Sequence, residues 1–343
     1  MGEIKIINPG LLTLIEDAGR YGYQQFGVPV AGVMDSFSHR VGNILVGNEE
    51  SEAVLEATMI GPQIEFAHEG VIAITGGDLS PLINGEPIEM WKSIYVKAGD
   101  RLTFGGSKNG CRSYIALAGG IDVPLVMGSK STYTKAKIGG YEGRTLKTGD
   151  IIKIGKPGHA LSTLKGRKVP SQYIPQYTNL MTVRVVLGPQ DDLFTADGIR
   201  TFFSSQYTVT NECDRMGFRL DGPEIEHVDG GDIISDGIAF GAIQIPGHGK
   251  PIIMMADRQT TGGYTKIGNA IWGDLGKLAQ SKPNDKIEFI QTTVTEAHQV
   301  LREMEEQIAS IKKACTARQV IGTRQFQLKV NGKAYEVRVE EIR

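Results

Sequence analysis

Cysteine is scarce in this chain. Cys111, Cys213 and Cys315 stand far apart with no Cys-x-x-Cys spacing, which excludes a disulfide framework or a zinc knuckle and fits reduced thiols. Charge of one sign is lacking as well: 37 Lys plus Arg against 39 Asp plus Glu leave a net charge of -2, so no electrostatic field points to nucleic acid or an anionic membrane. No window approaches the roughly 18 apolar residues of a membrane span, and the stretch from Met1 to Ile7 lacks the apolar core of a signal peptide. A cytoplasmic protein without a membrane or nucleic-acid partner is expected. The six histidines are scattered, and no metal site is read from them.

Glycine, by contrast, is abundant at 44 residues, and it occurs in pairs or beside Asp between short β-branched runs. That is the pattern of a β protein with many tight turns. Strand-like runs at Gly70–Thr75, Ser93–Lys97, Arg101–Phe104 and Arg112–Ala118 follow one another closely, a rhythm that suggests barrels or sandwiches. One early segment breaks it: Phe37, Val41, Ile44 and Leu45 fall at helical spacing behind Asp35 or Ser36 as N-cap.

The chain weakly repeats itself. Gly61–Glu65 matches Gly222–Glu226, Gly85–Ile88 matches Gly249–Ile252, and Gly99–Phe104 matches Asn284–Phe289, in that order. A length of 343 residues accommodates two such cores. The predicted architecture is mainly β with a few helices: two tandem barrels over residues 1–160 and 181–292, joined by a Pro- and Gly-containing connector near 156–180, with a helix and hairpin tail over 293–343. Ala297, Leu301, Met304, Ile308 and Ile311 give the tail helix its apolar stripe. Alternation around Asn331-Gly332 gives the hairpin.

The most informative stretch is Asp257-Arg258-Gln259-Thr260-Thr261-Gly262-Gly263-Tyr264, which follows the apolar run Ile252–Ala256. A buried strand there would hold a polar loop at its end, with two glycines admitting an anion to backbone N–H groups. A tight hairpin with polar tips explains the same pattern. Four further clusters mix glycine with polar and charged side chains. They are Glu16–Pro29 continuing to Asp35, Gly128–Tyr133 with Gly139–Arg144, Gly188–Asp192, and Asp214–Leu220. Arg144, Arg215 and Arg258 are forked donors suited to carboxylate or phosphate, although each could equally lock a loop by pairing with an acid, and Asp35 could do no more than cap its helix.

All five clusters in order, over about Ile4 to Phe289, resemble the family called allophanate hydrolase subunit 2, also described as biotin-dependent carboxyltransferase-like, Kip antagonist, or the C component of bacterial 5-oxoprolinase. The resemblance implies that the two barrels are cyclophilin-like. It also implies two partner proteins, one resembling the Kip inhibitor (the B component) and one of the LamB/YcsF type (the A component). The activity it implies is ATP-dependent opening of 5-oxoproline to glutamate, with ATP and Mg2+ acting at the level of the complex. Two alternatives stay open: carboxyl or acyl transfer onto urea-like substrates, and a regulator that antagonises a Kip inhibitor-like protein.

No Gly-x-x-x-x-Gly-Lys-Ser/Thr sequence occurs, since the Ser129-Lys130-Ser131 run lacks its first glycine. For the implied chemistry, Asp257, Arg258 and Asp35 are the catalytic candidates. Gln24, Ser129, Lys130, Arg144, Gln190, Arg215, Gln259, Thr260, Thr261, Gly262, Gly263 and Tyr264 are the candidates for holding substrate. Relatives commonly carry Arg where this chain has Lys130, and an acidic or proline-containing turn where it has His248. The hairpin near the C-terminus resembles the opening of a biotin carrier domain, yet no Met-Lys-Met turn precedes Arg343, so no covalently attached biotin is expected in this chain.

Overall fold

Alternation along the strands sets the layers of this molecule, whose computed structural model describes residues 2–316 and 320–342. On the strand Gly70–Asp78, Ile72 and Ile74 enter one core while Val71 and Ala73 enter another; on its neighbour Asn109–Leu117, Ile115 and Leu117 oppose Tyr114 and Ala116 in the same way. Successive side chains point to opposite faces of a sheet. A strand buried on both faces therefore reads as the continuous apolar run seen in the sequence.

The first unit has two sheets. One is ordered Ile151–Ile154, Gly2–Asn8, Gln63–Phe66, Arg101–Phe104, Pro81–Ile83, Glu86–Pro87; the other is ordered Leu12–Glu16, Val54–Thr58, Asn109–Leu117, Gly70–Asp78, Ser93–Val96. Ile4, Ile6, Ile64, Phe66 and Leu102 of the first meet Ile15, Leu55, Ile72, Ile74 and Ile115 of the second between them. The outer face of the five-stranded sheet is covered by the helix Ser36–Val46, through Val41, Ile44 and Leu45.

That helix begins where the sequence predicts. Asp35 is its N-cap and accepts from the backbone N–H of Ser38, while Gly47 closes it in the left-handed conformation at φ 73°. The tail helix, Val294–Thr316, lies over it with Ile308, Ile311 and Cys315 buried. Arg40 on the first helix pairs with Glu305 on the second. The connector also packs on this side: Leu164 and Val169 are buried, and the Ser93 hydroxyl donates to the Leu164 carbonyl at 2.6 Å.

The second unit is a closed barrel. Its sheet is ordered Leu180–Leu187, Lys286–Gln291, Gln206–Cys213, Gly217–Asp221, Ile252–Met254, Ala242–Ile245, Thr261–Ala270, Asp232–Gly237, and Leu180–Leu187 also pairs with Thr261–Ala270 to complete the ring. Phe202, Tyr207, Phe218, Ile243, Ile253 and Phe289 fill its interior. The molecule is thus mainly β with a few helices, as expected.

The repeat holds best at its third match. Gly99 and Asn284 both take left-handed φ (86° and 74°), and Asp100 and Asp285 each accept from the backbone N–H three residues earlier before a strand begins. The first match does not extend to structure, because Gln63–Phe66 is a strand whereas residues 223–226 are not. The C-terminal hairpin pairs Val320–Val330 with Lys333–Ile342 around Asn331 and Gly332, both at positive φ, which is the turn an Asn-Gly pair favours.

Candidate functional site

Between the two units lies a cavity of about 670 Å³, in the range of small-ligand sites. One wall is the loop after the strand Leu12–Glu16, carrying Tyr21 and Gln24; the other is built by Phe240, Arg258 and Trp272 of the barrel. This loop is held by its own first acid. Asp17 accepts from the Gly19 N–H, from the Ser129 and Ser131 hydroxyls and from the Lys130 N–H, at 2.6–2.8 Å. Arg20, fully buried, donates to the Val126 and Ser131 carbonyls at 2.9 and 2.8 Å. The return of the loop brings Gly32 against Gly19, so that a Cβ at residue 32 would stand 2.9 Å from the Gly19 Cα.

Beneath this wall Arg215 joins the two units. Its guanidinium donates to Asp257 at 2.9 and 3.0 Å, to Glu56, and to the Gly32 carbonyl at 2.6 Å, with Glu16 3.5 Å away. Burial works against the charge of Arg215, but Asp257, Glu16 and Glu56 together outweigh it and hold its pKa well above the usual value. The acids outnumber the cation. Burial therefore pushes Glu16 well above the ordinary carboxylate range despite Arg215, and raises Asp257 as well.

Arg258 differs from Arg215 in its partners. It donates from Nε to the Ile238 carbonyl at 3.1 Å and from a terminal nitrogen to the Met255 carbonyl at 3.3 Å, and its guanidinium lies 5.4 Å from the Phe240 ring centre. Among the described residues no carboxylate forms an ion pair with it. Burial lowers its pKa to about 10, which leaves it charged at neutral pH. A cation held by carbonyls and an aromatic face, opening on a cavity, has the chemistry to receive an anion. Phe240 and Trp272 meet edge to face at 5.9 Å beside it.

The sequence candidates separate in space. Arg258 and Gln24 line the cavity, and Asp257 with Arg215 lies buried under it. Asp35 caps its helix, accepts from the Ser38 hydroxyl and the Gln280 amide, and lines a different pocket. Ser129 and Lys130 serve Asp17, and the Lys130 ammonium pairs with Glu52 at 2.6 Å. Arg144 is engaged by Asp150 and Glu142 and lies over the Tyr141 ring. The Gln190 side chain accepts from the Lys266 N–H.

Residues 257–264 do not form one loop. Asp257 to Thr260 make the turn, and Thr261, Gly262, Gly263 and Tyr264 already belong to the strand Thr261–Ala270. The paired glycines thus sit inside a strand at negative φ, and Gly262 is there because a Cβ would stand 2.6 Å from the Ile238 Cδ1. Gln259 and Tyr264 face a second cleft. Tyr21 was within reach of the sequence, lying in a recognised cluster. Phe240 and Trp272 carried no signal, since an isolated aromatic reads as core.

The family model described as carboxyltransferase domain, subdomain A and B, matches residues 26–291. The chain belongs to that family. The match spans both units and takes in Arg215, Phe240, Arg258 and Trp272, while Tyr21 and Gln24 of the opposite wall precede it. Over 294 residues the chain is 37% identical to the C component of 5-oxoprolinase from Escherichia coli, covering 86% of this chain and 93% of that protein. It is 36% identical to the urea amidolyase of Lachancea kluyveri, covering 88% of this chain and 17% of that protein. The crystal structure of the K. lactis urea amidolyase superposes with a TM-score of 0.85 at 32% identity, covering 90% of this chain and 20% of that one. Family membership thus agrees with the resemblance carried by the five clusters.

Proposed function

We propose that the chain is the C component of an ATP-dependent 5-oxoprolinase and contributes the carboxylate-binding wall of the substrate site. The observation that carries this reading is the near end-to-end match to the Escherichia coli protein, 93% of whose length is covered. The geometry supports it. 5-Oxoproline is a lactam bearing one carboxylate, and Arg258 offers one forked cation over an aromatic floor.

In this reading Arg258 holds the substrate carboxylate, Tyr21 and Gln24 orient the ring, and Phe240 and Trp272 exclude water from all but the reacting bond. Hydrolysis adds water across the lactam C–N bond and yields glutamate. Asp257, turned toward Arg215 at 2.9 Å, is a positioning residue that fixes the turn carrying Arg258. The cavity does not fit a triphosphate, because its other arginine, Arg40, is taken by Glu50 and Glu305. Among the described residues no group of three His, Cys, Asp or Glu side chains is arranged to hold a metal ion. ATP and Mg2+ act at the level of the complex, which this chain forms with two partners, one of Kip inhibitor-like type and one of LamB/YcsF type, in the cytoplasm. No helix among the described residues is long and apolar enough to cross a membrane.

A second reading, carboxyl transfer to urea, is favoured by the TM-score of 0.85 to the K. lactis urea amidolyase. Urea has no carboxylate for Arg258 to hold. The reconstituted three-protein complex given ATP and 5-oxoproline, and the chain given carboxybiotin and urea, decide between them: glutamate formation with no carboxylation of urea is expected. Turnover of urea alone would reverse the assignment.

A further inference from the structure

We infer that the C-terminal hairpin is a dimerisation element: its second strand, Lys333–Ile342, pairs antiparallel with the same strand of a second copy about a two-fold axis at Val337. The hairpin strands form a sheet of their own, and among the described residues neither pairs with a strand of the two units. A two-stranded ribbon is at best marginally stable in water and gains independent stability from further strands on an apolar face. This one has such a face. Register sets Phe326 opposite Val337, Leu328 opposite Tyr335 and Arg324 opposite Val339, so these residues lie on one side of the ribbon. Phe326, Leu328, Tyr335 and Val339 remain 45–51% exposed there.

The two edges of the ribbon differ in charge. Val320–Val330 carries Arg324 and Lys329 and no acid, so a copy laid along it meets charge of its own sign. Lys333–Ile342 carries both signs. Across a two-residue turn the flanking residues, Val330 and Lys333, form the hydrogen-bonded pair, and Tyr335 and Val337 follow in the same phase. Ala334 and Glu336 therefore turn their backbone N–H and C=O groups to the outer edge. Exposed edges of this kind are templates for a further strand.

Charge also selects the register. A two-fold axis normal to the sheet brings residues of one face together, and the same patch serves both copies. At Glu336 or at Arg338 such an axis sets a charge against its own kind. At Tyr335 it sets Glu336 against Ala334 and Arg338 against Gly332. At Val337 it sets Glu336 opposite Arg338 of the second copy, twice over, with Tyr335 opposite Val339 and Val337 opposite its own counterpart. Val337 then occupies a non-hydrogen-bonded pair, where side chains approach most closely. The product is a four-stranded sheet with the apolar residues of both copies on one side. The inference does not rest on the substrate assigned to the Arg258 cavity.

Sedimentation equilibrium of the full chain over a concentration series tests this. A reversible monomer–dimer equilibrium is expected, weakened at least about tenfold by Glu336→Arg, which sets Arg against Arg at both contacts, and restored to within about threefold when Arg338→Glu is added. Under mild oxidation Val337→Cys should cross-link into a covalent dimer beyond the level that wild type reaches through Cys111, Cys213 and Cys315. Tyr335→Cys should not, because it faces Val339. These positions lie outside the cores of both units, so the variants should fold. A chain that stays monomeric at about 100 µM, alone or with another protein seated on the hairpin, would overturn the inference. So would a dimer indifferent to Glu336→Arg, or equal cross-linking through Tyr335→Cys.

Discussion

Replacing Arg215 with Met removes a buried cation around which the two units close. Arg215 satisfies Asp257 of its own unit and Glu56 and the Gly32 carbonyl of the other, and all three side chains are nearly inaccessible to solvent. Breaking a buried ion pair by removing one partner costs about 3 to 5 kcal/mol, against a total stability of about 5 to 15 kcal/mol. With an m-value of about 2 kcal/mol/M, the urea midpoint at pH 7 should fall by roughly 2 M. The sign with pH follows from the acids. Glu16 and Asp257 are held above the ordinary range by burial, so their contribution is fully present below the unfolded carboxylate value of about 4 and is lost as pH rises through the raised values. Without Arg215 both rise further. The defect of the variant should accordingly be larger at pH 8 than at pH 5. Adding Glu16→Gln, Glu56→Gln and Asp257→Asn to Arg215→Met should recover much of the loss, because a neutral cluster leaves no stranded charge. A loss below about 1 kcal/mol at pH 7, or one equally large in acid, would refute the account of Arg215 as the hub.

Three other substitutions separate structural residues from the site. Asp35→Ala should lower stability by about 1 to 2 kcal/mol through loss of the helix cap while leaving kcat of the complex intact, and Asp35→Asn should recover most of it, as thermal melts and steady-state assays will show. Arg144→Ala should change stability by less than about 1 kcal/mol and leave kcat/KM within about twofold, because its partners Glu142 and Asp150 are structural. Gly262→Ala should cost about 1 to 3 kcal/mol by chemical denaturation, since the new methyl overlaps Ile238 and Gln244.

Local features were legible in the sequence because local physics makes them. The Asp35 cap, the apolar stripe of Val294–Thr316 and the Asn331-Gly332 turn depend on residues a few positions apart, and each stands as read. The site was legible only in part. Its five clusters were marked by composition, but their grouping depends on contacts such as Arg215 to Glu56, 159 residues apart, which no periodicity encodes. Arg215 and Arg258 look alike in sequence; one is surrounded by acids and the other by carbonyls and an aromatic ring. Gly262 read as a flexible turn because a glycine required by close packing in a strand gives the same letter.

The central claim is that Arg258 anchors a substrate carboxylate. Its most direct test is kcat/KM for 5-oxoproline, measured as glutamate formed by the complete ATP-supplied complex carrying Arg258→Ala or Arg258→Lys. A charge-assisted bidentate contact is worth about 2 to 5 kcal/mol when one partner is removed. A fall of at least about thirtyfold is therefore predicted for Ala, mostly in KM, with Lys intermediate. Full kcat/KM in a folded Arg258→Ala complex would contradict it.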